Sequence, residues 1–212
     1  MTHTRNTPAS QAESLVPDLD AMTPRAARAW RERMAVSVIG SGRYTVASES
    51  GGSYTVDLPG KRCTCPDHTM RGERCKHLRR VAIEITEGRL PRPGFRAADC
   101  CVCGREAFVP ETTRLPLCEH CSFAPDERVR DRETGDLLVV VRSVDRRADE
   151  VDIEALETTV ASHPTNRAYD PGEPVVEAVY PGGDHPYSFP RSRLARRPRT
   201  APTADSAPGA TG

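Results

Sequence analysis

The sequence predicts a set of small α+β modules rather than one large core. Three observations carry this. Only 37% of the 212 residues are apolar, beside 15 glycines and 19 prolines, which is lean for a single interior of that length. Eight cysteines fall in two tight groups, within 63–75 and 100–121. Around them run short alternating segments separated by Gly- and Pro-rich turns, with two helical patterns near the first group.

Taken in order, residues 1–22 are polar and aperiodic, and are expected to be disordered. Thr23-Pro24 offers an N-cap and a first-turn proline for a helix over "RAARAWRERM". "AVSVIG", "RYTVAS" and "SYTVDL" then alternate around glycine turns, which predicts an antiparallel hairpin or meander leading into Cys63. After His77 the period changes. Leu78, Val81, Ala82 and Ile85 define one helical face for the core, and Gly88 is placed to end the helix. "LPRPGFRA" at 90–97 reads as a linker. Beyond the second cysteine group, "GDLLVVVRSV", "EVDIEAL" and "VVEAVYP" predict a small antiparallel β domain over 125–197, and 198–212 reads as a disordered tail. "NRAYD" at 166–170 and "YSFPRSRL" at 187–194 are expected to be turn and strand-end segments.

No signal-peptide pattern opens the chain, and the longest aliphatic run, Leu137 to Val141, is too short to span a bilayer. A cytoplasmic protein with reduced cysteines is therefore expected, with no membrane partner. In that compartment, closely paired cysteines read as metal ligands before disulfides.

"CTCPDHTMRGERCKH", residues 63–77, holds the first set: Cys63, Cys65, Cys75 and His77. Cys63 and Cys65, two apart at a strand end, leave the same face, while Cys75 and His77 close the shell from the first turn of a helix. Three thiolates and one imidazole complete the tetrahedral shell of structural Zn2+, which leaves no open position for catalysis. His68 in place of Cys63 is stereochemically possible, although a solvent-facing loop histidine is the commoner reading. C-x-C, nine residues, then C-x-H, with a strand before and a helix after, resembles the SWIM-type zinc finger; "CTCPD" and "CKHL" match its two halves. The resemblance covers roughly 42–88. It implies a ββα finger with Cys63, Cys65, Cys75 and His77 as ligands, within a module 23–89 that includes the first helix. It further implies a DNA-binding or protein-interaction role. Small stand-alone SWIM proteins of halophilic archaea are similar, but their kind of acidic composition is absent from this charge-balanced chain.

The second set is C-x₂-C, fourteen residues, C-x₂-C: Cys100, Cys103, Cys118 and Cys121, a Cys₄ zinc-ribbon-like module over 98–124. Each pair forms a knuckle, with Gly104 relieving the backbone after the first. Cys101 is the spare, because Cys100 keeps the two-residue gap, although either of the adjacent cysteines could ligate. His120 is a possible substitute for Cys121. A thioredoxin-like site would need a βαβ context that is not evident. Two Zn2+ per chain are thus expected.

Charge sums to zero, with 30 basic and 30 acidic residues, but it is unevenly placed. Residues 60–96 carry ten basic against four acidic side chains, whereas 126–157 carry eleven acidic against six basic. Arg191, Arg193, Arg196, Arg197 and Arg199 form a second basic cluster. Such placement is what phosphate contact requires, and Arg71, Arg74, Lys76, Arg79 and Arg80 are the candidate nucleic-acid contacts. Few aromatics accompany them, which disfavours base stacking. No G-x-x-x-x-G-K-[ST], H-E-x-x-H, G-x-S-x-G or deaminase H-x-E with P-C-x-x-C is present. The expectation is a non-enzymatic zinc protein without a small-molecule substrate, presenting a basic surface to DNA. The alternative is a protein–protein interaction adaptor in which both zincs only scaffold.

Overall fold

The computed structural model describes residues 17–196; the remaining terminal residues lie outside the described part. Of the first 22 residues, 17–22 are therefore described, and they form bends in which Asp18 Oδ1 accepts the N–H of Asp20 at 3.0 Å. The described residues divide into two compact units, the first ending at Phe95 and the second starting at Arg96. Both are α+β or β structures built from short elements.

In the first unit, α1 (Pro24–Arg31) starts on Pro24 as the first-turn proline predicts, and it ends three residues before the predicted run does. Met34 instead begins β1 (Met34–Gly40), because its side chain is buried in the sheet's core. β2 (Arg43–Ser48), β3 (Ser53–Asp57) and the two-residue β4 (Arg62–Cys63) complete an antiparallel meander in sequence order. Tyr44 and Val46 alternate inward from β2 and Val56 from β3. The short α2 (Pro66–Arg71) follows β4, and the inward side chains of the sheet meet Leu78 and Val81 of α3 (Lys76–Thr86) in a core that also includes Cys63, Cys65 and Cys75. Burying these side chains is worth about 1.5–3 kcal/mol for each large aliphatic one.

Two details of α3 depart from the predicted face. Ala82 lies between α3 and α1, which packs on that flank, and Glu84 is buried where the pattern placed it off the stripe. Glu84 tolerates burial because Arg80 pairs with it at 2.7 Å and Arg89 pairs with it as well. Gly88, at φ +69°, follows the helix's end as expected. The 90–97 stretch is pinned at its start: Pro91 is buried and its carbonyl accepts from Tyr44 Oη at 2.8 Å.

The division falls after the first residue of β5 (Phe95–Asp99), which forms a hairpin with β6 (Glu106–Pro110); their connection carries Cys100 and Cys103. Then come β7 (Arg128–Asp131), β8 (Leu137–Arg147), the short β9 (Asp152–Ile153) and β10 (Thr158–Thr159), β11 (Pro174–Val179), β12 (Tyr187–Pro190) and β13 (Leu194–Arg196). The strand expected over 150–156 shrinks to β9, since Glu154–Leu156 turn into a 3₁₀ helix and Glu157 takes φ +48°. Five strands form one antiparallel sheet in the order β12-β11-β8-β7-β13.

This order forces curvature. β12 and β13 lie at opposite edges, yet only Arg191–Arg193 separate them in sequence. Pro190 to Leu194 reaches at most about 14 Å. A flat sheet would set its outer strands about 19 Å apart. The sheet must therefore roll up. Its interior holds Phe123, Val129, Leu138, Val140, Val176, Ala178, Phe189 and Leu194. A smaller apolar group, Ala148, Val160 and Val175, lies under β9 and β10.

Candidate metal centres

Cys63, Cys65, Cys75 and His77 converge: their donor atoms lie within 4.8 Å of one another and all four residues are buried. Local sequence explains how. Cys63 ends β4, and Cys65 is the N-cap of α2 (Pro66–Arg71), its sulfur accepting the His68 N–H at 3.4 Å. Cys75 is the N-cap of α3, which puts His77 in the first turn of that helix. The α2 helix was missed in the nine-residue loop, although Pro66 at its first position and Gly72 after it carry the signal.

The donor set fits a divalent ion. Four ligands on bonds of about 2.3 Å stand about 3.8 Å apart at the edges of a tetrahedron. Cys63 Sγ is 3.8 Å from His77 Nδ1. His77 Nε2 is buried without a hydrogen-bond partner among the described residues, and its Nδ1 faces the Cys63 sulfur. The Tyr54 ring lies against it, centroids 4.6 Å apart, and fixes its plane. The thiols are also mutually frustrated without a cation. A hydrogen bond from Cys63, then His77 and the Leu78 N–H, hold Cys75 down to about 3 against the effect of burial, while bonding to the Cys75 thiolate and burial push Cys63 up. Burial pushes Cys65 up as well. A dication removes that conflict by stabilising all three as thiolates.

His68 stands apart from this group: its Nδ1 lies 2.8 Å from the Glu73 carbonyl.

Cys100, Cys103, Cys118 and Cys121 form the second group, again within 4.8 Å. Cys103 Sγ and Cys118 Sγ are 3.6 Å apart, close to a tetrahedral edge and far beyond a disulfide bond; all eight cysteines are free thiols. Each pair sits on a tight turn. Gly104, at φ +70°, donates its N–H to the Cys100 carbonyl at 2.8 Å, and Cys121 donates to the Cys118 carbonyl at 2.9 Å. Burial opposes ionisation of Cys100, but the N–H groups of Cys118, Val102 and Cys103 outweigh it and bring the thiol down to about 6. Burial and the neighbouring sulfurs push Cys121 up. Cys101 is exposed and outside the group, as is His120.

The second centre is tied to the rolled sheet by arginines. Arg191 is buried, donates to the Cys121 carbonyl and lies 3.7 Å over the Phe123 ring. Arg196 bonds the His120 and Ser122 carbonyls and pairs with Glu127 at 2.7 Å. Arg193 is buried in a bidentate pair with Asp131, at 2.8 and 2.6 Å, and also reaches Asn166 Oδ1 at 2.8 Å. These three therefore do not form the free basic cluster that composition suggested; backbone carbonyls take Arg191 and Arg196, and carboxylates take Arg193 and Arg196. Arg197 and Arg199 lie outside the described residues.

The first basic cluster is also partly committed. Lys76 pairs with Glu32, Arg80 with Glu84, and Arg71 with Asp67 at 3.6 Å. Arg74 and Arg79 have no carboxylate partner among the described residues.

No family model matches this chain, and no curated protein or solved structure resembles it closely enough to name a relative. Among the described residues no helix is long and apolar enough to cross a membrane.

Proposed function

We propose that the protein binds two Zn2+ ions structurally, through a SWIM-type finger at Cys63, Cys65, Cys75 and His77 and a Cys₄ centre at Cys100, Cys103, Cys118 and Cys121. The function we assign is non-enzymatic nucleic-acid binding, with DNA as the partner. The carrying observation is the first centre: four buried donors within 4.8 Å, three sulfurs and one nitrogen, a set that suits zinc. Four protein ligands fill a tetrahedron, so this zinc has no place for substrate or activated water. Its work is folding. A unit whose core is built around its own cysteines gains stability from the metal that burial alone would not supply.

The adaptor reading has its own support. Lys76 and Arg80 are held by Glu32 and Glu84, and Arg191, Arg193 and Arg196 serve the second unit internally, which leaves less free positive charge than the sequence count implies.

Metal and partner are tested together. Elemental analysis should return two zincs per chain, and Co2+ substitution should give the tetrahedral absorption of a Cys₃His and a Cys₄ site. Titration with mixed-sequence duplex DNA over a salt series should then give a log–log slope of several released counterions. Binding that is absent even at low salt removes the nucleic-acid reading in favour of the adaptor.

A further inference from the structure

We propose that Arg28, Arg74 and Arg79 form a phosphate-binding cradle beside the first metal centre. A cavity of about 890 Å³ opens there, between α1, α2 and the start of α3, and reaches Cys65, Cys75 and His77. Its lining includes six cations, Arg25, Arg28, Arg71, Arg74, Lys76 and Arg79, against two carboxylates, Asp67 and Glu73. The pairing inside is specific. Arg25 is bound to Asp67 at 3.1 Å and to Glu73, Arg71 lies 3.6 Å from Asp67, and Lys76 is bound to Glu32. That leaves Arg28, Arg74 and Arg79 without an ion pair among the described residues, Arg28 acting on Asp67 only at longer range.

A concave wall with six cations against two carboxylates, about +3 once a zinc-loaded Cys₃His centre adds −1, and three guanidiniums free of ion pairs attracts anions, because field lines concentrate in a cleft with low-dielectric walls. Guanidinium forks match the paired oxygens of a phosphate group. The amide end of the 11-residue helix α3 lies at the same wall and adds to the positive potential. Arg79 is braced for the task, its Nε lying 3.4 Å from the Arg74 carbonyl. Arg80, by contrast, does not line the cavity and is spent on Glu84. The cradle thus shifts phosphate contact from Lys76 and Arg80 to Arg28 and the α3 entrance. It deepens the nucleic-acid reading above and, for binding to duplex, rests on it.

The test uses the zinc-loaded full chain and two probes, mixed-sequence duplex DNA and inorganic pyrophosphate. The triple variant R28Q/R74Q/R79Q changes partly or wholly exposed side chains outside the metal shells, so retention of both metals and of the far-ultraviolet circular dichroism spectrum checks its fold. A control, R43Q/R62Q, removes two exposed arginines that do not line the cavity. With duplex, the triple variant should lose about two to three from the log–log salt slope while the control keeps both cavity and slope. With pyrophosphate, wild type should bind and the triple variant should not. Wild type that binds duplex with an unchanged slope in the triple variant overturns the cradle and leaves the nucleic-acid reading intact. Pyrophosphate binding lost in the triple variant, with no duplex binding by wild type, keeps the cradle and overturns that reading. Neither probe binding overturns both.

Discussion

Removing one partner from the Asp131–Arg193 pair should destabilise the second unit alone. Asp131 is fully buried at the end of β7, and Arg193 lies in the short connection that closes the rolled sheet. In Asp131→Ala the guanidinium keeps Asn166 Oδ1 and Thr165 Oγ1 but loses both carboxylate bonds, and the Glu133 N–H loses its acceptor at 2.9 Å. A buried charge left without its counterion costs about 3–5 kcal/mol. At about 4 °C per kcal/mol for a domain of roughly 100 residues, the melting transition should fall by about 12–20 °C. Calorimetry of the full chain would read this, and the sole tryptophan provides an internal reference. Trp30 lies on α1 in the first unit, so its emission transition should not move. The sign with pH follows from the carboxyl group. Burial opposes its ionisation, but Arg193 and the Glu133 N–H outweigh burial and hold it below the usual carboxylate range. Its contribution is complete above the ordinary carboxylate value near pH 4 and is lost as pH falls through the depressed folded value. The difference in stability between wild type and Asp131→Asn should therefore shrink only in strong acid. A loss under about 1 kcal/mol at neutral pH, or a Trp30 transition that moves in step, would refute the reasoning.

Cys75→Ala should release the first metal and unfold the first unit, with the second metal retained by elemental analysis; loss of both together would mean the two units fold as one. Arg191→Lys removes the fork that serves the Cys121 carbonyl and the face over Phe123, and should cost about 1–3 kcal/mol in calorimetric stability and speed metal loss to a chelator from the Cys₄ centre only. Gly104→Ala places a side chain at φ +70°, and about 1 kcal/mol of strain should appear as faster chelation of the second metal with the first unchanged. An unaltered chelation rate in either variant would show that these contacts do not brace the centre.

Much of this architecture is readable in the residues themselves. Cysteine and histidine spacing locates both four-donor clusters, because tetrahedral coordination restricts how far apart ligands on a turn or helix start can sit. The alternation in 35–58 yields β1 to β3, and Gly88 closes α3, for equally local reasons. What escaped is long-range. Arg191, Arg193 and Arg196 look like a solvated basic run in sequence, and only the fold reveals their acceptors, 62 to 76 residues upstream. Glu84 likewise reads as surface until Arg80 and Arg89 close on it. β7 and β13, four and three residues long, have too little period to register before they pair with each other.

That pairing sets an order of events for a chain made from its N-terminus. Leu194 meets Asp131 and Arg196 meets Val129, so the free edge of β7 stays uncovered until nearly the last described residue has been added. The turns that carry the four cysteines are complete by residue 121, far earlier, but their carbonyl clamp arrives only with Arg191 and Arg196. A chain truncated before Leu194 would carry all four cysteines of the second cluster and an open, adhesive strand edge at once. Synthesis errors that stop the chain before Leu194 should therefore yield aggregates in which the four-cysteine turns are already complete.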